Sequence, residues 1–103
     1  MPVVKIRGRA QRDIVETADY LEMRGDVEAA LRFLEAAQIT FWELAAMPRA
    51  GAECDFRQTP TRRLRRWQVK GFEEWLIFYL PKRHGVEIVR VVRGARDLER
   101  VLR

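Results

Sequence analysis

At 103 residues, 48% of them hydrophobic and 34% charged, the chain is long enough for one domain that buries a core without disulfide staples. No apolar run approaches the ~18 residues that cross a bilayer, the first ten residues lack an apolar signal core, and Cys54 has no second cysteine to pair with, so a soluble, non-exported protein of the reducing cytoplasm is expected. The net charge of +5 is uneven: residues 1–61 hold 8 basic and 10 acidic side chains, residues 62–103 hold 12 and 5, which makes the second part a cationic surface for nucleic acid, an acidic segment or a charged protein.

In chain order, Val3-Val4-Lys5-Ile6-Arg7 predicts a short first strand, held by joining a later sheet. Gly8 or Arg9 begins the turn into a helix over Ala10 to Arg24, where Ala10, Ile14, Ala18 and Leu21 recur at helical spacing and Asp13, Glu16, Asp19 and Glu22 fall opposite. Gly25 supplies the stop and Asp26 the N-cap of a second helix, with Glu28 in its first turn. So short a link forces the two helices antiparallel. The second runs to about Met47 and ends at Pro48, with Ala30, Leu34, Ala37, Phe41 and Leu44 on one stripe. Phe33 and Trp42 lie off that stripe and either widen the apolar face or meet a partner. Arg49 to Pro60 has no periodicity and reads as a long loop.

Leu64 to Lys70 alternates, Arg65, Trp67 and Val69 on one face and Arg66, Gln68 and Lys70 on the other, which marks a strand with one wet side. A turn over Lys70-Gly71-Phe72-Glu73, with Gly71 free to take a positive φ, leads into Trp75-Leu76-Ile77-Phe78-Tyr79-Leu80. That run is too short for a lone helix and too continuous for a half-exposed strand, so it reads as an interior strand covered on both faces. Pro81 to Gly85 reads as a turn, and Val86 to Arg93, β-branched almost throughout, as the antiparallel partner. Leu98, Val101 and Leu102 predict a short closing helix within 94–102. The order β, αα, loop, βββ, short α gives an α+β fold with a helical hairpin on one face of a mostly antiparallel sheet.

This order, together with Leu34 to Pro48 (LEAAQITFWELAAMP), the strand Leu64-Arg65-Arg66-Trp67-Gln68-Val69, the segment from Gly71 to Tyr79 (GFEEWLIFY) and the ending from Ile88 to Leu98 (IVRVVRGARDL), resembles the ParE branch of the RelE/ParE toxin superfamily over essentially the whole chain. The resemblance implies the toxin of a type II toxin-antitoxin pair of the plasmid-stabilisation kind. It also implies neutralisation by a ParD-like antitoxin in a hetero-oligomer, with operator DNA reached only through that antitoxin. ParE-like toxins poison DNA gyrase, whereas RelE-like relatives cleave messenger RNA on the ribosome. A shared fold does not choose between those targets.

Cleavage of RNA at its 2′-hydroxyl needs a general base, a general acid and cations for the developing charge. RelE-like nucleases usually place Tyr or His near the end of the last strand or just beyond it. Here that region reads Val91-Val92-Arg93-Gly94-Ala95-Arg96, and Arg93 stands where ParE-like sequences often have His. No catalytic set, metal ligand set or cofactor is therefore expected. His84 reads as a solvated turn residue, Tyr20 and Tyr79 as packing residues, and a nuclease built on Glu73 or Glu74 with the arginines stays open.

Binding is better supported, because Arg with Trp is the usual composition of a hot spot and Arg grips carboxylates bidentately. By the resemblance, a groove between sheet and helices receives an acidic C-terminal segment of the antitoxin that folds as it binds. The residues expected to meet it are Arg63, Arg65, Arg66, Trp67, Trp42 and Arg90, while Trp75 is assigned to the core. Arg93, Arg96 and Leu98, at the closing turn, are expected to serve toxicity. A basic nucleic-acid-binding module is the remaining alternative, although it lacks the interleaved surface aromatics of a stacking platform.

Overall fold

The computed structural model describes residues 1–54 and 63–94. Strand β1 (Val3–Ile6) leads into helices α1 (Gly8–Met23) and α2 (Val27–Ala46), followed by strands β2 (Ala52–Glu53), β3 (Arg65–Val69), β4 (Phe72–Lys82) and β5 (Gly85–Arg93). The five strands form one sheet in the order β1-β5-β4-β3-β2, antiparallel throughout except for β1 against β5. This is the expected α+β architecture. The closing helix within 94–102 and the part of the loop at 55–62 lie outside the described residues.

The helical hairpin closes as its residues dictate. Gly25, at φ 84°, ends α1: its N–H donates to Glu22 O at 2.9 Å and the Asp26 N–H donates to Leu21 O at 3.2 Å, the pair of bonds by which a left-handed residue satisfies the last carbonyls of a helix. The Asp26 side chain then accepts from Ala29 N at 2.8 Å and caps α2. The two devices are adjacent residues and only three residues separate the helices, so α2 returns along α1.

The core lies between the hairpin and one face of the sheet, where Phe33, Phe41, Leu44, Ile77, Tyr79 and Ile88 are buried. Each such side chain contributes roughly 1.5–3 kcal/mol by leaving water. On α2 one open alternative is decided and one expectation is corrected. Phe33 belongs to the core, edge-to-face with Phe72 at 5.3 Å and tilted against Trp75 at 5.6 Å. Leu34 faces outward instead, because it lies about 100° further round the helix. Trp75 is a core residue, as expected.

The far face of the sheet carries a smaller cluster of Leu64, Phe78 and Val89, with Leu76, Leu80 and Val92 half-buried beside it. Strand β4 is thus buried on both faces. It is longer than expected and runs through Pro81 to Lys82, so the turn shrinks to Arg83 and His84. Proline is tolerated there because β3, whose pairing reaches only from Val69 to Arg65 opposite Tyr79, has already ended. Gly85 allows β1 to pass close by, since a Cβ at that position would drive into the Val3 carbonyl. The loop expected from Arg49 contains β2, whose Ala52 and Glu53 pair with Arg66 and Arg65; neither residue has the β-branched signature that announces a strand.

Candidate functional site

A bulge places the first unforeseen feature. Against β4 the register of β5 shifts between Phe78 and Tyr79, leaving Val89 unopposed next to Arg90, and bulges of this kind re-aim neighbouring side chains. Arg90 reaches α1 and grips Asp13 with Nε to Oδ2 at 2.7 Å and Nη2 to Oδ1 at 3.0 Å. Asp13 Oδ2 also accepts from Val91 N at 3.0 Å, and Arg9 Nη1 lies 3.2 Å from Oδ1. The Asp13 side chain is 4% exposed and that of Arg90 13%. Asp13, expected on the wet face of α1, is therefore an internal anchor. It serves the β5 edge where β1 has ended, and Arg90, expected to meet the antitoxin, is committed to it.

The other expected residues separate into structural and open ones. Arg65 donates to Arg49 O at 3.1 Å, to Gly51 O at 2.6 Å and to Glu53 Oε1 at 3.2 Å, so it straps the segment after α2 onto β3. Tyr79 completes that strap: its hydroxyl accepts from Gly51 N at 2.8 Å and donates to Pro48 O at 2.9 Å. Burial pushes this phenol above its ordinary pKa, against the lowering effect of the Gly51 N–H. A side chain at Gly51 would meet Arg66 O and the Tyr79 hydroxyl at 2.6 Å. On α2, Thr40 donates to Ala36 O at 2.7 Å and accepts from Lys70 N at 3.1 Å, fixing the turn between β3 and β4 to the helix.

Trp67 is different. Its register opposite Ile77 puts it on the helix-covered face, yet it is 41% exposed because it stands at the margin of the sheet. Beyond Arg66 no strand among the described residues pairs with the outer edge of β3. A groove of about 880 Å³ runs there, lined by Glu43, Ala50, Arg66, Trp67, Lys70 and Glu73 among others. Lys70 is balanced by Glu43 at 3.7 Å. Arg63 and Arg66 have no carboxylate partner among the described residues and are exposed. Trp42, 52% exposed on the outer side of α2, does not line this groove.

Arg93 lies on the other side of β4, at the end of β5. It contacts Glu74 (Nη2 to Oε2 3.0 Å), donates from Nη1 to the Tyr20 hydroxyl at 3.0 Å and covers the Trp75 ring at 5.2 Å. Its expected companions Arg96 and Leu98 lie outside the described residues. His84 is exposed in its turn, and Cys54 is half-buried, its thiol pushed up by burial while Arg66 pulls the other way. Among the described residues no group of three or more His, Cys, Asp or Glu side chains is placed to hold a metal ion, and no helix is long and apolar enough to cross a membrane.

Sequence reasoning missed Asp13, the Gly51 strap and the joining of Tyr20 to Arg93. The only early signal was Asp13 itself, an acid three residues from a core alanine.

The arrangement offers an aromatic and arginine groove at one sheet margin and an arginine and tyrosine cluster at the other, on a helical hairpin and a mostly antiparallel sheet. No curated protein matches the chain. The family model described as the ParE toxin of the type II toxin-antitoxin system, parDE, matches residues 4–98. That match takes in β1 through β5 and both candidate surfaces, and the chain belongs to the ParE family of type II toxin-antitoxin toxins.

Proposed function

We propose that this toxin is neutralised by a ParD-like antitoxin and that, when released, it inhibits DNA gyrase by binding it in the cytoplasm. The carrying observation is Trp67, a large indole left 41% exposed beside Arg66, which among the described residues has no carboxylate partner, on a strand edge that no described strand pairs with there. An acidic segment that orders on contact finds three complementary elements there: an edge to pair with, an indole to cover and guanidinium groups for its carboxylates. Arg63 extends the same charge. At the other margin, Arg93 gives the target a second, separate surface, so that antitoxin and target need not share every contact.

The test uses the purified chain with and without a ParD-like antitoxin in gyrase supercoiling and cleavage-trapping assays. Inhibition relieved by the antitoxin is expected. Trp67→Ala is expected to weaken antitoxin binding about 30-fold, the loss of a ~2 kcal/mol hot spot, while leaving gyrase inhibition in place. Gyrase untouched by a folded, antitoxin-competent toxin would overturn the target, and translation-dependent RNA cleavage would then favour the RelE-like reading.

A further inference from the structure

The Tyr20 hydroxyl gathers two guanidinium groups that lie 69 residues apart in the sequence. It accepts from Arg24 Nη1 and from Arg93 Nη1, each at 3.0 Å. Both guanidinium carbons also lie over its ring, 5.6 and 5.7 Å from the centroid. Glu74 balances Arg93, at 3.0 Å. Arg24 has no carboxylate partner among the described residues. The two guanidinium groups meet at one oxygen while only Arg93 has a carboxylate beside it, so the cluster attracts a further anion.

A hydroxyl has two acceptor positions and one proton to donate. Here both acceptor positions are filled by guanidinium N–H groups, while the O–H has no acceptor among the described residues. The two hydrogen bonds, first that of Arg24 and then that of Arg93, hold this phenol below its ordinary pKa, which strengthens it as a donor. Tyr20 is 37% exposed. It borders a cleft of about 280 Å³ whose lining includes Arg9, Glu16, Thr17, Trp75 and Arg93. The cluster thus presents an acidified O–H and the remaining N–H groups of Arg24 to the outside.

We infer that Tyr20, Arg24 and Arg93 form a carboxylate-binding site that takes an Asp or Glu side chain of the toxin's protein target. The inference rests on the reading of Arg93 as target-facing and adds α1 to that surface. A guanidinium fork suits carboxylate and phosphate alike, so the surroundings decide. Single-stranded RNA is held by bases stacked on free aromatic faces, and here Arg93 covers Trp75 while both guanidinium groups cover Tyr20. A lone carboxylate needs no such platform.

The test compares growth arrest on induction of the toxin, without antitoxin and at matched expression, for the wild type, Tyr20→Phe, Arg24→Gln and the α1 control Arg12→Gln. The purified proteins are compared in thermal melting, antitoxin calorimetry and gyrase inhibition. Tyr20→Phe and Arg24→Gln are each expected to lower potency at least about tenfold, as loss of a charge-assisted hydrogen bond does, with melting, antitoxin affinity and the Arg12→Gln variant unchanged. Undiminished growth arrest by both variants would overturn the site. So would a Tyr20→Phe protein that loses melting temperature and antitoxin affinity along with potency, because Tyr20 would then be structural. Parallel loss of binding to a labelled oligouridylate would overturn the carboxylate in favour of phosphate. Growth arrest by a wild type that leaves gyrase active would remove gyrase as the target, yet the growth readout would still judge the site. A wild type without effect on growth would overturn both readings.

Discussion

Replacing Asp13 by alanine tests whether one buried carboxylate locks α1 to the sheet. The side chain is 4% exposed and serves three groups: Arg90 at 2.7 and 3.0 Å, the Val91 N–H at 3.0 Å and Arg9 at 3.2 Å. Asp13→Ala takes the carboxylate from a guanidinium that is itself largely buried, a change that costs roughly 3–5 kcal/mol when one member of a buried pair is lost. It also strands the Val91 N–H on a strand edge that no strand among the described residues pairs with there, at about 1–3 kcal/mol. Because part of both penalties falls on the same relaxing site, the expected total is about 4 kcal/mol, a large share of the 5–15 kcal/mol typical of a domain. Urea unfolding followed by tryptophan fluorescence reads this as a midpoint lowered by about 2 M at a slope near 2 kcal/mol/M. Asp19→Ala, an exposed acid on the same helix, controls for helix propensity and is expected within about 0.5 kcal/mol of the wild type. A loss below about 1 kcal/mol for Asp13→Ala would refute the anchor and with it the account of why Arg90 is withdrawn from the surface.

Tyr79→Phe is expected to cost about 2 kcal/mol in chemical unfolding, because it leaves the Gly51 N–H and the Pro48 carbonyl without the hydroxyl they share; a neutral result would mean that the strap is replaced by water. Arg65→Ala is expected to lower stability by about 1–2 kcal/mol through its carbonyl contacts, while Arg66→Ala leaves melting unchanged and slows antitoxin association several-fold at low salt. Stopped-flow mixing and melting curves that assigned the effects the other way round would contradict this division. The Glu87 carboxyl is held below its ordinary value of 4.5, chiefly by the Arg7 hydrogen bond and then, against a desolvation penalty, by Lys82. A depressed pKa in the folded state contributes stability that is fully present above pH 4.5 and is lost as pH falls below it. Glu87→Gln should therefore flatten the acid limb of the stability profile and leave no added pH dependence near neutrality.

Much of the fold was legible because its signals are local. Gly25 and Asp26 announce the hairpin by themselves, Gly71 takes the positive φ that its turn requires, and the β-branched run Val86 to Arg93 has no helical alternative. What escaped was set by contacts between distant segments. Asp13 fits the polar side of a helical wheel, and only the end of β1 together with the bulge at Val89 brings Arg90 and the Val91 N–H to it. Phe33 widens the apolar face toward Phe72 and Trp75 while Leu34 turns outward, a choice that periodicity over one helix does not encode. Trp67 and Arg66 were legible as an exposed pair. Arg65, one residue away, was not distinguishable from them, because the carbonyls it binds lie after α2.

The charge asymmetry of the sequence has a double origin. Among the described residues three ion pairs join an acid of residues 1–61 to a base of the later part, Glu53 with Arg65, Glu43 with Lys70 and Asp13 with Arg90, against one that runs the other way, Arg7 with Glu87. Two more, Glu74 with Arg93 and Glu87 with Lys82, stay within the later part. Part of the imbalance between the halves is thus consumed in docking the acidic helical hairpin and β2 against the basic sheet. The exposed pairs add little stability, whereas the buried one is expensive to break. Among residues 63–94, Arg63, Arg66 and Arg83 retain no carboxylate partner. Two of the three lie just before β3 and within it, close to the only tryptophan of that strand. Among the described residues the cations without a carboxylate partner in 63–94 therefore concentrate in a narrow strip, and on the proposed function an antitoxin that covers this strip needs carboxylates at a few defined positions.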